Sequence, residues 1–163
     1  MLTSQFDYNL PKTLISQKPI KPRDQARLLI LDRKTKTLSH KKFYNLINFL
    51  EKGDALVLNN SKVIPARLIG RKKTGGQVEV FLLQKIKRGL WSALIKGKVK
   101  AGQKIILPKK IVATVLEKMA GEWLVAFNAN DQKLFSIGQT PTPPYIKQKS
   151  NLMDYQTVYA KTD

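Results

Sequence analysis

Hydrophobic and polar positions alternate through the middle of the chain, between Lys62 and about Phe135. Alternation with a period of two predicts β-strands that bury one face. Clusters of glycine, proline and lysine interrupt the pattern and mark the turns between strands. Six short strands with little helical signal indicate a small closed barrel or a sandwich, and closure leaves no exposed sheet edges. The predicted strands span residues 63–69, 77–84, 90–95, 104–107, 111–117 and 122–127.

The first sixty residues have a mixed helix and strand pattern. A short helix is predicted to start near Pro11, where a missing N–H costs nothing in the first turn. A continuous apolar run predicts a buried strand over 27–32. Apolar residues at helical spacing predict a helix over 43–52 that ends at Gly53. A second short buried strand is predicted over 55–58.

The charge balance of the chain indicates its partners rather than its fold. The chain has 30 Lys and Arg against 11 Asp and Glu, a formal net charge of +19. Such an excess attracts polyanions and predicts salt-sensitive association, with nucleic acid ahead of an anionic membrane surface. The alternative is that all proteins of the source organism are rich in lysine, so that the charge says nothing particular about this one. Because Lys outnumbers Arg, diffuse phosphate contact is favoured over base-specific recognition.

Composition also excludes several kinds of chemistry. The chain has no Cys, which excludes disulfides, thiol nucleophiles and Cys-ligated zinc. The single His40 cannot form a metal site alone, and its polar surroundings indicate a solvated loop or strand edge. No apolar run is as long as a membrane span, and the first residues have neither a basic leader nor an apolar core. We therefore expect a cytoplasmic protein with no bound metal and no membrane partner.

Three groups of residues are candidates for chemistry. The first comprises Asp7 in the run 6–11, and Arg23, Asp24 and Arg27 just before a predicted strand. From the residues alone, a solvated Arg23–Asp24 pair is the favoured interpretation.

The second group follows the predicted strand over 55–58. It comprises Asn59, Asn60, Lys62 and Arg67, in a segment where amides donate and accept hydrogen bonds and Lys supplies charge. Residues of these types at the end of a strand are suited to binding a ligand at the edge of the sheet. An ordinary Asn/Ser turn between two strands explains the same residues equally well.

The third group lies near the end of the chain. Tyr145, Tyr155 and Tyr159 occur with Gln156 among polar neighbours. Aromatic rings interleaved with amides and basic groups can stack on bases and hold phosphates. They can equally pack a joint between domains.

Together, the three groups resemble the S-adenosylmethionine:tRNA ribosyltransferase-isomerases in order and spacing, over nearly the whole chain. Residues 74–80 and Trp91 add to the resemblance. The resemblance implies an α+β fold, in which a partial α/β body carries an inserted six-stranded antiparallel β-barrel. The implied domains are residues 1–61 for the N-terminal part of the body, 62–145 for the barrel, and 146–163 for a return segment toward the rest of the body.

The resemblance also implies an unusual reaction. S-adenosylmethionine serves as a ribosyl donor and not as a permanently bound cofactor. The aminomethyl group of a 7-deazaguanine base in tRNA takes up the ribose, adenine and methionine leave, and the sugar rearranges to give epoxyqueuosine. This chemistry needs a base, an acid for the departing adenine, and a dry pocket, but no metal.

Residue roles follow from the resemblance as hypotheses. Asp7, Asp24 and Tyr155 are the catalytic acid or base candidates. The candidates for binding tRNA or S-adenosylmethionine are Arg23, Arg27, Asn59, Asn60, Lys62, Arg67, Tyr145, Gln156 and Tyr159. Two departures from the family pattern are Asp154, where Arg is usual, and Ala26, where Ser is common.

In that family, a segment like 155–163 leads into a second half of the enzyme. We therefore expect this chain to be an N-terminal portion, a monomer whose partners are tRNA, S-adenosylmethionine and, as a candidate, a complementary C-terminal fragment. A different class of function also accounts for the charge. In that alternative, the chain is a non-catalytic, basic RNA-binding β-barrel module or an inactive fragment.

Overall fold

The computed structural model of the chain describes residues 1–148 and 151–161. The ends of the predicted return segment, at 149–150 and 162–163, lie outside the described residues. The described residues separate into two compact units. One contains residues 1–59 and 144–148, and the other contains residues 60–143 and 151–161.

The first unit is built on a β-hairpin. Strand β1 (Arg27–Asp32) pairs with the antiparallel β2 (Thr37–Lys42), and together they form a two-stranded sheet. The turn between them is held by the Asp32 carboxylate, which accepts hydrogen bonds from the N–H groups of Lys34 (2.8 Å) and Thr35 (3.1 Å). Four short 3₁₀ helices complete the regular structure of this unit, at Thr3–Phe6, Lys12–Leu14, Arg23–Gln25 and Phe43–Phe49.

Three sequence predictions for this unit need correction. The run 27–32 is a strand, but it is only half-buried. Its single neighbour, β2, lies beside it in the sheet and therefore covers neither of its faces. The predicted helix over 43–52 is a 3₁₀ helix that ends at Phe49, since seven residues without a packed face do not sustain an α-helix. The predicted buried strand over 55–58 is wrong. Those residues are exposed and form no strand, because backbone groups there have no neighbouring strand in the described chain to pair with.

Apolar residues in the first unit are largely uncovered. Among residues 1–59, all of which the structure describes, none is buried. Leu31 and Leu38 are directly opposite each other in the hairpin and are 58% and 63% exposed, and Leu29 on the same face is 61% exposed. A sheet face of this kind is normally packed against another layer of structure.

The second unit contains a closed barrel, which confirms the predicted six-stranded antiparallel architecture. The strand order is β3-β4-β5-β8-β7-β6, and β6 returns to β3 to close the ring. The closing seam is short, because β3 and β6 are paired only at Arg71–Ile106 and Lys72–Ile105. The strands are β3 (Arg67–Lys72), β4 (Gln77–Lys87), β5 (Leu90–Lys96), β6 (Lys104–Ile106), β7 (Val112–Met119) and β8 (Glu122–Phe127).

Inward-facing residues of these strands form one apolar core. Strand alternation places Leu68, Val78, Val80, Ile105, Val115 and Val125 inside, with less than 2% of each exposed. Burying each of these side chains contributes about 1.5–3 kcal/mol. The short helix α1 (Asp131–Phe135) closes one end of the barrel. Its Leu134 is fully buried, and Phe135 packs edge-to-face on Trp91 at 6.1 Å.

The chain enters and leaves the barrel at that same end. Arg67 and Gln139 exchange backbone hydrogen bonds of 3.3 and 2.8 Å, so the exit runs beside the start of β3. Gly138 makes this approach possible, since a Cβ atom there would lie 1.9 Å from the carbonyl oxygen of Pro65. The predicted strand 63–69 accordingly begins only at Arg67, after the segment that contacts the exit. A second short helix, α2 (Leu152–Tyr155), lies in the closing segment.

No helix within residues 1–148 and 151–161 is both long and apolar enough to span a bilayer.

Candidate functional site

The first group of candidate residues lies on the N-terminal unit. Asp7 follows the first 3₁₀ helix, where its N–H donates to the Ser4 carbonyl at 3.2 Å. Arg23 and Asp24 lie in the 3₁₀ turn Arg23–Gln25, which leads into β1. The turn is fixed to the hairpin because the Ala26 carbonyl accepts a hydrogen bond from the Phe43 N–H at 2.8 Å. The side chains of this group are exposed and face solvent on a well-defined turn.

Arg27 begins β1 and lies directly opposite Lys42. This is the terminal pair at the open end of the hairpin, where two like charges repel each other unless an anion binds nearby. The position therefore suits the anion-binding role predicted for Arg27 and has no evident structural benefit to the hairpin.

Tyr145 also belongs to this unit, where Gln17 holds its backbone. The Gln17 side-chain amide donates to the Tyr145 carbonyl at 3.2 Å and accepts from the Lys147 N–H at 2.8 Å. A primary amide thus reproduces the pairing of a neighbouring strand. The Tyr145 ring itself is 58% exposed. Sequence reasoning missed Gln17, since an isolated glutamine has no local pattern that identifies a partner 128 residues away.

Apart from Asn59 and Tyr145, which belong to the N-terminal unit, the second and third groups lie in the barrel unit. Asn60 and Lys62 lie exposed on the segment that leads into β3. The Asn60 carbonyl accepts a hydrogen bond from the Lys161 N–H at 2.9 Å. Next to it, the Gln156 side chain accepts from the Val63 N–H at 2.6 Å and donates to the Val63 carbonyl at 3.1 Å. The structure therefore brings residues 60–63 together with residues 156–161.

Two tyrosines are carried by this closing segment. Tyr155 ends α2, whose first turn is capped by the Asn151 side chain accepting from the Met153 N–H at 3.1 Å. Tyr159 follows a turn in which its N–H donates to the Thr157 hydroxyl at 3.3 Å. The two residues are 39% and 41% exposed, so each presents part of its ring to solvent. Half-exposed rings on a fixed segment suit stacking on a base.

Arg67 has clear intramolecular partners. Its Nη2 donates to the Thr142 carbonyl at 3.3 Å, and its Nε lies 3.3 Å from Glu79 Oε1, an ion-pair distance without hydrogen-bond geometry. Both side chains are 27% exposed. These contacts join β3, β4 and the exit segment. Arg67 thus has a structural role in the barrel in addition to the binding role predicted for it.

Hydrogen bonds from the backbone N–H groups of Thr35 and Lys34 lower the pKa of the Asp32 carboxyl, which lies in the hairpin turn and outside the predicted site. Within the part of the chain that the structure describes, no three His, Cys, Asp or Glu residues are close enough together to hold a metal ion.

Comparison with known proteins places the chain in a family. The family model described as "Queuosine biosynthesis protein" matches residues 3–163. The S-adenosylmethionine:tRNA ribosyltransferase-isomerase of Thermosipho africanus is 49% identical over 99% of this chain and 49% of its own length. Its counterpart in Thermosipho melanesiensis is 46% identical with the same coverage of both chains.

A solved structure is also similar in sequence. The crystal structure of S-adenosylmethionine tRNA ribosyltransferase from Thermotoga maritima is 38% identical, covers 88% of this chain and 52% of that one, and superposes with a TM-score of 0.43. The chain spans about half the length of the curated relatives that it matches. The resemblance inferred from the three residue groups is thereby confirmed, and the chain belongs to the queuosine biosynthesis protein family.

Proposed function

We propose that the chain supplies the N-terminal portion of an S-adenosylmethionine:tRNA ribosyltransferase-isomerase. The enzyme would transfer the ribosyl group of S-adenosylmethionine to 7-aminomethyl-7-deazaguanine in tRNA and isomerise it to epoxyqueuosine. The observation that carries this proposal is the 46–49% identity, over 99% of the chain, to relatives that bear this enzyme's name. S-adenosylmethionine would act as a consumed substrate, and an enzyme that acts on tRNA would work in the cytoplasm.

The contacts between the second and third residue groups support one shared binding site in the barrel unit. Asn60, Lys62, Tyr155 and Tyr159 lie on two segments that the Gln156–Val63 hydrogen bonds hold together. In the proposed site, the amides and Lys62 bind polar groups of tRNA or S-adenosylmethionine, and the tyrosine rings stack on a base. Tyr155 would also be placed to exchange a proton with a bound substrate.

The first group would supply carboxylates and cations. We assign Asp7 and Asp24 as the acid and base candidates, and Arg23 and Arg27 as ligands for a phosphate or the methionine carboxylate. Their exposed positions suit binding, but proton abstraction next to a sulfonium requires a site closed to water. Closure would come from the remaining part of the enzyme.

The division into domains belongs to the same proposal. The barrel would be an insertion at 62–145 in an α/β body, with residues 1–61 as the first part of that body and 146–163 as its continuation. The exposed leucines of the hairpin support a body that is completed by further structure, since such a face is unfavourable in water. We propose that activity requires the half of the enzyme that the relatives have beyond the match, on the same polypeptide or on another.

Adenine release provides the test. The 163-residue chain is incubated with S-adenosylmethionine and precursor-bearing tRNA, alone and together with the second half of the Thermosipho africanus relative. We expect release only in the combined sample. Release by the chain alone would contradict the requirement for a second half, and no release by a folded full-length hybrid of the two would contradict the function.

The site assignments are tested in that full-length hybrid. Asp24→Asn removes a candidate acid or base, and Lys62→Ala removes a candidate ligand. We expect Asp24→Asn to reduce turnover by about 10²–10⁴-fold, the usual contribution of acid–base catalysis, and Lys62→Ala to weaken substrate binding. Normal turnover and tRNA affinity in both variants would rule out the assigned site.

A second candidate function, a non-catalytic RNA-binding barrel, is favoured by one observation. The barrel has a complete core of its own, while between residues 60 and 143 the sequence has sixteen Lys and Arg against four Asp and Glu. Binding of tRNA by the hybrid without adenine release would support this alternative.

A further inference from the structure

Positive charge is concentrated at the end of the barrel opposite the chain's entrance and exit. Strand directions place the β3–β4 turn and the β5–β6 connection at this end, since β3 and β5 both run away from α1. Five cations lie on these two segments and on the last two residues of β3, and they define what we call the cationic rim: Arg71, Lys72, Lys73, Lys98 and Lys100.

Two cavities open on the cationic rim and share Lys72. The first, about 450 Å³, lies at the short β3–β6 seam, with Arg71, Lys72 and Lys73 around an apolar floor that includes Ile106. The second, about 590 Å³, is lined by Lys72, Lys98 and Lys100. Neither lining contains an Asp or a Glu. The acidic residues at this end, Glu117 and Glu122, belong to the β7–β8 hairpin instead.

The backbone under the cationic rim is well fixed. Lys72 Nζ donates to the Lys98 carbonyl at 3.2 Å and so ties the turn to the connection. The Lys72 N–H donates to the Gly76 carbonyl at 2.9 Å, and the Lys100 N–H donates to Gln103 Oε1 at 3.1 Å. The cations are therefore presented from ordered segments, which lowers the conformational entropy lost when an anion binds.

Like charges around two cavities whose linings contain no acidic residue repel one another and favour a bound polyanion. A run of phosphodiesters fits this arrangement better than a single small anion, because the cations extend over two adjoining cavities. Lysine suits contact with phosphate oxygens and carries little base specificity.

We propose that the cationic rim binds the phosphate backbone of the tRNA, at a surface distinct from residues 60–63 and 156–161. This inference rests on the proposed function for the identity of the RNA. The rim would position the tRNA by contacts independent of base sequence, while the residue groups described above would act on the modified base.

A matched pair of triple variants tests the proposal in the 163-residue chain. Lys73→Ala, Lys98→Ala and Lys100→Ala together remove three rim cations and leave the backbone hydrogen bonds intact. Lys87→Ala, Arg88→Ala and Lys133→Ala remove the same charge at the opposite end of the barrel, where these three residues are also exposed. Thermal unfolding of both variants checks that the barrel is folded.

Binding of a full-length tRNA transcript is then measured between 50 and 200 mM salt, a range over which about six to ten phosphate contacts change affinity by orders of magnitude. We expect the rim variant to lose at least about tenfold in affinity at low salt and to reduce the salt slope by about 2–3, since each phosphate contact contributes up to about 0.9. The control variant should retain most of the affinity and most of the salt slope. Equal losses in the two variants would show that only net charge matters, and would overturn the proposal.

A measurement on the unmodified chain avoids any effect of substitution on folding. Bound tRNA should protect Lys73, Lys98 and Lys100 from acetylation, as read by mass spectrometry, while Lys87 and Lys133 remain reactive. Binding of tRNA with no protection at the rim would overturn the rim proposal and leave tRNA as a partner. No binding of tRNA by either the chain or the full-length hybrid would overturn the rim and the proposed function together.

Discussion

The side-chain amide of Gln156 forms two hydrogen bonds with the backbone of Val63, one to its N–H at 2.6 Å and one to its carbonyl at 3.1 Å. A glutamine side chain here takes the place of a neighbouring strand. The contact fixes the closing segment to the start of the barrel and brings members of two of the three predicted residue groups together. Gln17 makes the equivalent contact in the N-terminal unit, with the backbone of Tyr145 and Lys147.

Replacing Gln156 should release the closing segment from Val63. Gln156→Glu keeps an acceptor for the Val63 N–H but loses the donor to the carbonyl, whereas Gln156→Ala loses both. With each bond contributing about 1 kcal/mol, we expect amide exchange at Val63 to rise by roughly fivefold or more in the Ala variant and by less in the Glu variant. Gln132→Ala, on the exposed side of α1, is the control. Unchanged exchange at Val63 in both variants would show that the contact is not stabilising.

Gly138 is expected to tolerate no side chain. A Cβ atom there would lie 1.9 Å from a backbone carbonyl, which cannot move as a flexible side chain can. Gly138→Ala should lower the free energy of unfolding by about 1–3 kcal/mol, the usual effect of overpacking, as measured by urea denaturation. Gly76→Ala is the matched control, because its Cβ would meet only the flexible Lys72 chain at 2.9 Å. Equal stability of the two variants would contradict the close approach of the exit to Pro65.

The hairpin turn should depend on pH through Asp32. Backbone N–H groups of Thr35 and Lys34 stabilise the carboxylate and lower its pKa. The stabilising effect is therefore present above the unfolded pKa of about 3.9 and is lost as the pH falls through the lower folded value. The amide chemical shifts of Lys34 and Thr35 should titrate below pH 4, with the amide of Lys41 as an internal reference. Asp32→Asn should abolish this titration, and an inflection above the ordinary value would contradict the assignment.

Protection from hydrogen exchange should differ between the two units. The barrel has buried residues on every strand, whereas no residue among 1–59 is buried. Amides of β3 to β8 should exchange only by global unfolding, and those of β1 and β2 by local opening at lower cost. Exchange measured on the 163-residue chain tests this directly. Uniform protection along the chain would show that the backbone of the N-terminal unit is shielded from water, contrary to the exposure of its residues.

Local patterns in the sequence predicted the barrel strands well. Strand β8 has the predicted bounds, and β4, β5, β6 and β7 differ from prediction by at most a few residues. Period-two alternation records which side chains face the core, and glycine and proline mark where the chain turns, so both signals are local. The helix α1 was missed because five residues are too few for a helical period to be visible.

Predictions that needed information from elsewhere in the chain were less accurate. The run 55–58 has strand-like residues but no partner strand within the described chain, so its pattern alone was misleading. The run 63–69 loses its first four residues from the strand, because Gln156 and the exit at Gly138 contact that segment instead.

The candidate site shows the same division. The sequence identified Asn60, Lys62, Tyr155 and Tyr159 through residue type and order, but it left open whether they lie together. Contacts between residues 93 positions apart, such as Val63 and Gln156, made them neighbours.

The sequence by itself determined the positions of most barrel strands, the excess of positive charge and, through matching residues, the family. Only the tertiary structure decided that β6 closes on β3, that Gln156 replaces a strand beside Val63, and that the cations of two separate segments form one rim. The physical reason is that alternation and turn residues act over a few positions. The pairing of distant segments depends instead on which backbone groups and apolar faces remain to be satisfied once the chain has folded.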